Sequence, residues 1–373
     1  MNVNANKCCV LIPSLSPDER LPEYVLQLLD GGFGGIVVVD DGSAESYQEI
    51  FDRIASWDKC HVLHHEVNRG KGAALKLGYA YIQEQTDFEG IVTADSDGQH
   101  TVKDTLNLCS LLKEDEKVLL LGSRDFSRGS VQVPPKSRMG NRITSVVFRL
   151  FYGPNLPDTQ TGLRAFVRSL LPFMREISGD RFEYEMNVLI RSAVVKLPMK
   201  PVAIDTVYHD ENKGTHFHPI RDSWRIYKLL LAGFFKFMSS SVLSTVLDLS
   251  LFTALNLWLL PLFMQPVFLP ALRCDLRVLL ATLIARVISA VVNFKLNEGF
   301  VFNLKRSKGA AWRYLMLCIA VALTSGLAVG TLSTLVPGIN ATVFKAVVDT
   351  ILFLCNYRLQ QDWVFKNRIR EEK

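Results

Sequence analysis

The residues best suited to do chemistry lie at 95–99, in the stretch "IVTADSDGQH", where an apolar run stops and two carboxylates follow. Alternate residues of an extended chain point to one side, so Asp95 and Asp97 can present hard oxygen ligands to the same divalent cation. Gly98 then allows the chain to turn away. The pattern predicts a metal site, and its structural alternative is a solvated acidic turn.

A calcium loop of the EF-hand type is excluded by spacing. Such a loop beginning at Asp95 needs Gly at its sixth position and Glu at its twelfth, whereas the chain has His100 and Leu106 at those places. The carboxylate pair therefore belongs to another kind of cation site or to the acidic turn.

A second stretch, "NRGKGAAL" at 68–75, suggests a phosphate-binding loop but fails its spacing. The Walker pattern needs Gly at position 65 and Ser or Thr after Lys71, and the chain has His65 and Gly72. What remains is a glycine-rich helix start that carries a lysine. The positive end of such a helix is suited to approach an anionic nucleotide.

Strands and helices must hold these residues in place, and the first part of the chain predicts both. Helical patterns such as "GAALKLGYAYIQEQ" alternate with the apolar runs "CCVLIP", "GIVVVDD", "HVLHH", "GIVTAD" and "KVLLLGS". The alternation predicts an α/β domain with a mainly parallel sheet. Ligands of such sheets gather at the carboxyl ends of the strands, where Pro13, Asp40, Asp41 and Asp95 stand.

The later part of the 373-residue chain consists of long apolar blocks. Four of them approach the roughly 20 residues that a spanning helix needs. They lie at about 237–260, 276–294, 314–336 and 341–358. Basic clusters follow the second and fourth blocks, and an uncharged "PGIN" joins the third to the fourth, so the positive-inside rule places both chain ends in the cytoplasm. We expect a multi-pass protein of the cell (inner) membrane.

An internal repeat divides the apolar part. "NFKLNEGFVF" begins at Asn293 and "NYRLQQDWVF" begins 63 residues later at Asn356, so two hairpins are expected in the same orientation. An anchor alone would explain the aromatic and basic residues of these motifs. It would not explain charges inside the spans, which mark a polar pathway or a buried structural pair, for example Lys345 with Asp349. These charged residues are Asp248, Arg286, Lys345 and Asp349.

The ends of the chain, the cysteines and the net charge add little. The N-terminus "MNVNANK" is polar and lacks the pattern of a secretory signal, so the first domain is expected in the cytoplasm. Seven cysteines are scattered without a CxxC pair, which indicates reduced thiols and neither a disulfide framework nor a zinc site. The net charge of +5 says little about partners, and no nucleic-acid partner is expected.

Several motifs stand in one order along the chain: "LIPSL", "VVVDDGS", "NRGKGAALKLGY", "TADSDGQH", "GSRDF", "SRMGN", "DTQTGLRAF" and "RFEYEM". Together they resemble a family 2 glycosyltransferase with the GT-A fold, of the polyprenol-phosphate hexose synthase type to which dolichol-phosphate mannose synthase belongs. This resemblance covers about residues 7–230. The repeated apolar part, about 235–366, resembles the small GtrA-like domain, which is often associated with moving lipid-linked sugars across a membrane.

The resemblance implies a role for particular residues. The nucleotide-sugar would be bound by Pro13, Ser14, Asp40, Asp41, Lys71 and Asp95, and Mg²⁺ or Mn²⁺ by Asp95, Asp97 and Gln99. The lipid phosphate would be bound by Arg124, Arg138 and Arg142, and the catalytic residues would be Asp95, Asp97, Arg124 and Asp158. The chain departs from the family at Leu15, Ser16 and Pro17, where relatives commonly have an aromatic residue, Asn and Glu. The base of the donor, UDP or GDP, is therefore left open.

The implied reaction needs no strong base. A lipid phosphate is largely dianionic at neutral pH, because its second pKa is about 6, so it can attack the anomeric carbon directly and invert it. A divalent cation offsets charge on the leaving diphosphate, and arginines relieve the repulsion between two anions. Asp158 would orient the sugar or the acceptor, or else form an Asx-type turn after Pro157.

A helix near the motif "SRMGN" offers a surface for the bilayer. Apolar residues follow helical spacing at Ile143, Val146, Val147, Leu150 and Phe151, and the basic residues Arg138, Arg142 and Arg149 lie among them. This pattern is typical of a basic interfacial helix, and a helix packed on the sheet is the alternative.

These observations predict three segments: a cytoplasmic GT-A domain at 1–218, a juxtamembrane amphipathic segment at 219–235, and a four-span GtrA-like domain at 236–373 with a basic tail. The expected function is hexose transfer from UDP- or GDP-hexose to a polyprenyl (undecaprenyl-type) phosphate on the cytoplasmic leaflet, with translocation of the product a further possibility. A homo-oligomer is compatible with this function. The rivals are a processive polysaccharide synthase, whose QxxRW segment the chain lacks, and a transporter with a donor-binding but non-catalytic domain.

Overall fold

The computed structural model of the chain describes residues 2–124, 135–205, 219–265, 267–269, 274–302, 309–336, 338 and 341–365. The chain forms two compact units, of which the first ends at Leu230 and the second begins at Leu231.

The first unit is built on a seven-stranded sheet. Its strands are β1 (Cys8–Ser14), β2 (Gly35–Asp40), β3 (Cys60–His64), β4 (Gly90–Thr93), β5 (Leu119–Arg124), β6 (Arg164–Val167) and β7 (Met199–Ile204). They lie in the order β3-β2-β1-β4-β6-β5-β7, and all neighbours are parallel except that β6 is antiparallel to both β4 and β5. The predicted α/β fold with a mainly parallel sheet is confirmed.

Helices connect and cover these strands. They are α1 (Arg20–Asp30), α2 (Gln48–Ala55), α3 (Lys71–Gln85), α4 (Val102–Ser110), α5 (Pro135–Tyr152), α6 (Leu171–Glu176) and α7 (Glu183–Val195). Every residue of β1, β2 and β4 is buried, as expected for parallel strands covered on both faces. Helix α4 begins where Thr101 caps it by accepting a hydrogen bond from the backbone N–H of Asp104. The loop that carries Asp95 and Asp97 is thereby fixed between β4 and a capped helix.

The second unit is helical. Its elements are α8 (Pro219–Ala254), which begins in the first unit, α9 (Leu260–Phe263), α10 (Leu276–Leu296), α11 (Ala310–Leu335), α12 (Ala341–Leu359) and a short hairpin of β8 (Phe268–Leu269) with β9 (Cys274–Asp275). Three helical stretches are long and apolar enough to cross a membrane: Tyr227–Phe263, Leu276–Val301 and Ala310–Val329. The fourth predicted block forms α12, and its crossing of the bilayer stays a prediction.

The internal repeat is visible as direct contact between equivalent residues. Both α10 and α12 end in a π-helical turn, at Asn297–Val301 and Gln360–Val364. The amides of Asn297 and Gln360, which are 63 residues apart, share a hydrogen bond of 2.9 Å, and the rings of Phe302 and Phe365 stack at 5.0 Å. Equivalent residues of the two hairpins therefore contact each other directly.

The cysteines correct one expectation. Cys8 at the start of β1 and Cys109 in α4 lie at disulfide distance inside the first unit. The described free cysteines are Cys9, Cys60, Cys318 and Cys355. Sequence spacing did not predict this pair because the two residues are 101 positions apart and are brought together only by packing of α4 against the sheet.

Candidate active site

Asp95 lies just beyond β4 and is surrounded by groups that favour its charged form. Lys71 Nζ, at the start of α3, lies 2.6 Å from Asp95 Oδ1, and His100 Nε2 lies 3.3 Å from Asp95 Oδ2. Burial alone would raise the pKa of Asp95, but the charge of Lys71 and the hydrogen bond from His100 outweigh it and hold the pKa well below its usual range. Asp95 is therefore held in its ionised form beside the positive charge of Lys71.

Asp97 occupies the turn that follows. Its Oδ1 accepts a hydrogen bond of 3.0 Å from the backbone N–H of Gln99, which fixes the turn, and Gly98 has a φ of 72° that favours glycine. Burial, and then the negative charge of Asp95, raise the pKa of Asp97. The two carboxylates therefore interact electrostatically.

The route to this geometry differs from the one predicted. The strand β4 ends at Thr93, so Asp95 and Asp97 stand in a loop rather than on one side of a strand. A turn pinned by hydrogen bonds brings the two carboxylates together instead. The prediction of alternation along a strand was wrong, while the prediction that Gly98 turns the chain is confirmed.

Glu185 on α7 is a member of this cluster that the sequence did not single out beyond the motif "RFEYEM". Its Oε1 lies 3.1 Å from Lys71 Nζ, so the lysine is shared between Glu185 and Asp95. Burial lowers the pKa of Lys71, but the charges of these two carboxylates raise it above the usual value and keep the ammonium group charged. Lys71 therefore contacts the predicted metal ligand directly.

The segment 157–162, which we call the 157–162 loop, forms the wall beside Asp95. Gly162 lies so close that a methyl group in its place would overlap the Asp95 carboxylate. The hydroxyl of Thr93 donates a 2.8 Å hydrogen bond to the Gly162 carbonyl, so the loop is tied to the end of β4. Only a glycine allows this approach.

The same loop holds the arginine of β5. Arg124 Nε donates a hydrogen bond to Asp158 Oδ2 at 2.6 Å, and Arg124 Nη2 donates one to Asp158 Oδ1 at 3.1 Å. The two residues therefore form a bidentate ion pair. Asp158 is fully buried, and its Oδ1 also accepts from the backbone N–H of Gln160, so the Asx-type turn is present. In this geometry Asp158 positions Arg124; its predicted contact with sugar or acceptor stays a prediction.

Asp40 and Asp41 at the end of β2 are buried and engaged by protein donors. The contacts of Asp40 are the backbone N–H of Ser43, the amide of Gln48 and the ring of His64; those of Asp41 are the ring of His65 and the backbone N–H groups of Arg69 and Gly70. These contacts fix the loop that leads to Lys71. A contact of either carboxylate with the nucleoside stays a prediction.

Pro13 and Ser14 end β1 at the same edge of the sheet. Within the described part of the chain, the buried Ser14 hydroxyl has no hydrogen-bond partner. A buried hydroxyl without a partner costs free energy, so this atom is available to a bound ligand. The adjacent Ser16 has a φ of 51° and its N–H donates to Ser43 Oγ, which clips the β1 and β2 loops together.

Helix α5 has an exposed apolar stripe. Met139, Ile143, Val146 and Leu150 are between 45% and 64% exposed. Arg138, Arg142 and Arg149 are also exposed and lie among them. Phe151 is buried and Val147 is half-buried, so these two predicted members belong to packing rather than to the stripe, while Met139 was missed. The basic interfacial helix therefore has the surface it needs on the described residues.

The charged residues of the apolar part pair across helices. Arg286 Nη2 lies 3.4 Å from Asp248 Oδ2, and Asp248 Oδ1 accepts a hydrogen bond from Ser289. Asp349 accepts one from Ser325 of α11. The side chain of Lys345 lies outside the described residues, so the predicted pair with Asp349 is untested.

Arg286 and Asp349 also line one cavity of about 710 Å³ between α10, α11 and α12. Its other polar lining includes Ser325 and Asn356, and the remainder is mainly apolar. The Arg286 side chain is 71% exposed despite its ion pair. A guanidinium and a carboxylate therefore line the same open cavity in the segment that resembles a membrane domain.

The donor set at 95–99 fits a hard divalent cation. Among the described residues, no three His, Cys, Asp or Glu side chains are grouped to hold a metal ion. Asp95 and Asp97 would supply two oxygens and the Gln99 amide a third, which leaves the remaining positions to water and phosphate, a usual arrangement for Mg²⁺. The ammonium of Lys71 beside Asp95 shows that a positive charge is stabilised there.

Comparisons with known families agree with this geometry. Residues 9–173 match the family model described as Glycosyl transferase family 2. Residues 236–365 match the model described as GtrA/DPMS, transmembrane domain.

Three curated proteins are each similar to part of the chain. An uncharacterised protein of Methanocaldococcus jannaschii is 28% identical over 237 residues, 62% of this chain and 95% of that protein. A UDP-N-acetylglucosamine–dolichyl-phosphate N-acetylglucosaminyltransferase of Methanococcus voltae is 28% identical over 56% of this chain and 89% of its own length. A polyprenol monophosphomannose synthase of Mycolicibacterium smegmatis is 28% identical over 43% of this chain and 62% of its own length.

Proposed function

Because the chain is a family 2 glycosyltransferase joined to a GtrA/DPMS transmembrane domain, we propose that it transfers a hexose from a nucleotide-diphosphate sugar to a polyprenyl phosphate. The observation that carries the proposal is the exposed apolar stripe of α5 with its arginines, on the helix that packs beside the 157–162 loop. A lipid acceptor requires such a surface, whereas a soluble acceptor does not. The two named relatives that act on dolichyl or polyprenol carriers support the same class of acceptor.

The proposed reaction is a single displacement. An oxygen of the lipid phosphate attacks the anomeric carbon while the bond from that carbon to the nucleoside diphosphate breaks, and the configuration inverts. A Mg²⁺ or Mn²⁺ ion held by Asp95, Asp97 and Gln99 would neutralise charge on the departing diphosphate. Lys71 orients Asp95 for this purpose, and the Ser14 hydroxyl at the end of β1 is available to the nucleotide.

The acceptor phosphate would be placed by arginines. Arg124 is held in position by Asp158, and Arg138 lies exposed at the start of α5. A guanidinium offers paired donors to phosphate oxygens and relieves the repulsion between the two reacting anions. The proposed location is the cytoplasmic leaflet, where nucleotide-sugars are made available to the first unit.

A second step, translocation of the product, is proposed for the transmembrane domain. The cavity lined by Arg286 and Asp349 favours it over simple anchoring, because an anchor does not need ionisable groups around a cavity. The pairing of Arg286 with Asp248 balances the charge until a phosphate arrives. A processive synthase and a non-catalytic transporter remain the competing functions.

The test is a product analysis with the full chain in nanodiscs. Purified protein is incubated with polyprenyl phosphate and a panel of UDP- and GDP-hexoses, and the lipids are analysed by mass spectrometry. We expect a lipid-linked monosaccharide from one donor and none from an Asp95→Asn chain. A polymer would indicate the processive synthase, and donor binding without any glycosylated lipid would indicate the transporter.

A further inference from the structure

Asn141 connects the exposed helix α5 to the active site. It is 1% exposed and lies on the first half of α5. Its Nδ2 donates a 2.8 Å hydrogen bond to the carbonyl of Pro157, and its Oδ1 accepts from the backbone N–H of Thr159 at 3.0 Å and from the Thr159 hydroxyl at 3.2 Å. The Asn141 side chain therefore hydrogen-bonds to two residues at the start of the 157–162 loop, Pro157 and Thr159.

The 157–162 loop in turn contacts the two groups that the reaction needs. Asp158 forms the bidentate ion pair with Arg124, and Gly162 lies directly against the carboxylate of Asp95. Any displacement of this loop moves the proposed acceptor arginine and the proposed metal ligand together. The loop is short, so a shift at its Pro157 end is not absorbed before Asp158.

The position of helix α5 is also expected to depend on the bilayer. Its apolar stripe and its three arginines lie on the exposed side of the helix, whereas Asn141 and Thr144 are buried on the opposite side. Contact with an anionic surface would fix the tilt and depth of α5. Through the hydrogen bonds of its buried side chain, Asn141 would transmit this position of α5 to the 157–162 loop.

We propose that Asn141 is a positioning residue that couples the seating of α5 on an anionic bilayer to the placement of Arg124 and Asp95. The proposal rests on the proposed transfer to a lipid phosphate, and it adds a regulation of that site. The enzyme would be activated by the surface that carries its acceptor. Transfer away from that surface, to water or to a soluble phosphate, would be slow because the loop is then not held in its working position.

The experiment compares two bilayers. The full chain is placed in nanodiscs of zwitterionic lipid or of the same lipid with an anionic component, at equal amounts of polyprenyl phosphate, and kcat and KM are measured. The wild-type chain is expected to be about fivefold or more faster in the anionic bilayer, as contacts of arginines with an anionic surface allow. In Asn141→Ala, kcat in the anionic bilayer is expected to fall about fivefold or more, to the rate measured in the zwitterionic bilayer, so that the ratio between bilayers approaches one. KM for the nucleotide-sugar should stay within about twofold.

Ser145→Ala is the matched control. Ser145 lies one turn further along α5, and its hydroxyl contacts the same Pro157 carbonyl at 3.4 Å, but from an exposed position. This variant should keep both the rate and the bilayer ratio. Thr159→Val is a milder second variant, since it removes only the hydroxyl bond to Asn141, and it should lower the ratio partly even if Asn141→Ala fails to fold.

The outcomes separate the coupling from the proposed function. If the wild-type chain makes no glycosylated lipid in either bilayer, the proposed function fails. If it makes the product at equal rates in both bilayers, the coupling is overturned and the function stands. If Asn141→Ala or Thr159→Val slows transfer by the same factor in both bilayers, the residue is structural and the coupling is likewise overturned.

Discussion

Asp95 is the residue on which most contacts of the site converge. Lys71, His100 and Gly162 approach its carboxylate from different elements, and this environment favours the ionised form. Asp95→Asn or Asp97→Asn should therefore reduce transfer by about 10²-fold or more, because a bound cation offsets several kcal/mol of leaving-group charge. The measurement is steady-state transfer to polyprenyl phosphate, with circular dichroism and membrane extraction to verify fold and insertion.

Removal of the metal ion by a chelator tests the same prediction independently. Excess EDTA should abolish transfer by the wild-type chain, and added Mg²⁺ or Mn²⁺ should restore it. Full activity in excess EDTA would remove the metal from the mechanism. Restoration by the metal in Asp97→Asn to the wild-type rate would remove Asp97 from the ligand set.

Gly162 gives a second prediction at the scale of one atom. A methyl group there would overlap the Asp95 carboxylate, so Gly162→Ala must displace the proposed metal ligand or the 157–162 loop. We expect the apparent Kd for Mn²⁺, followed by electron paramagnetic resonance, to rise about tenfold, and transfer to fall with it. Gly140→Ala is the matched control, because nothing lies within 4 Å of the added methyl group. An unchanged Mn²⁺ affinity in Gly162→Ala would mean that the loop does not define the site.

Helix α5 is the element that the proposed function places against the bilayer and its lipid acceptor. Arg142→Ala with Arg149→Ala should mainly weaken seating on anionic bilayers, since each arginine near such a surface contributes about 1 kcal/mol. Arg138→Ala should instead raise KM for the lipid phosphate more than KM for the nucleotide-sugar. Kinetics at two salt concentrations test this, because screening should remove the effect of the double variant. Arg191→Ala, an exposed arginine of α7, is the control.

Two outcomes would contradict this assignment of the arginines. Unchanged acceptor kinetics in Arg138→Ala would remove that residue from the phosphate site. A double variant with the same salt dependence as the wild-type chain would place Arg142 and Arg149 in solvent rather than against lipid.

The strands that carry the site were predictable because their signal is local. The runs at β1 to β5 are apolar, rich in β-branched residues and followed by polar turns, and each became a strand. Strand β6 was not predicted, since its four residues include Arg164, which is buried only because its guanidinium bonds to the carbonyls of Thr161 and Glu185. No local sequence pattern predicts that a strand will insert between β4 and β5 in antiparallel orientation.

The candidate site was predictable in its residues more than in its contacts. The order of the motifs gave Asp95, Asp97 and Arg124 as candidates, and His100 lies in the same motif as Asp95, but Glu185 reaches Lys71 only through tertiary packing. The same holds for Asn141, whose partners lie 16 and 18 positions further along the chain. Spacing in the sequence does not predict such contacts, because it does not show which side chains come together when helices and loops pack in the fold.

At the scale of the whole molecule, the two repeated hairpins are alike in position and unlike in charge. Arg286 of α10 and Asp349 of α12 are equivalent residues, 63 positions apart, and both line the same cavity. The ends of their repeated motifs contact each other through Asn297 and Gln360. A repeat kept only for anchoring has no need for opposite charges at equivalent positions, so this asymmetry is where a translocation function would reside.

Neutralising Arg286 tests that function. Arg286→Gln removes the positive charge of the cavity and leaves Asp248 to its hydrogen bond with Ser289. We expect synthesis on the cytoplasmic side to continue at the wild-type rate, while the appearance of glycosylated lipid on the opposite leaflet falls about tenfold or more, in line with the loss of a desolvated charge contact to phosphate. Synthesis is measured by total product in proteoliposomes, and translocation by the fraction accessible to periodate added outside. Lys295→Gln is the control, because Lys295 lies on the same helix and pairs with Glu298, outside the lining of the cavity. Equal translocation by the wild-type and Arg286→Gln chains would reduce this domain to an anchor, whereas an equal loss in Lys295→Gln would assign the effect to the stability of α10.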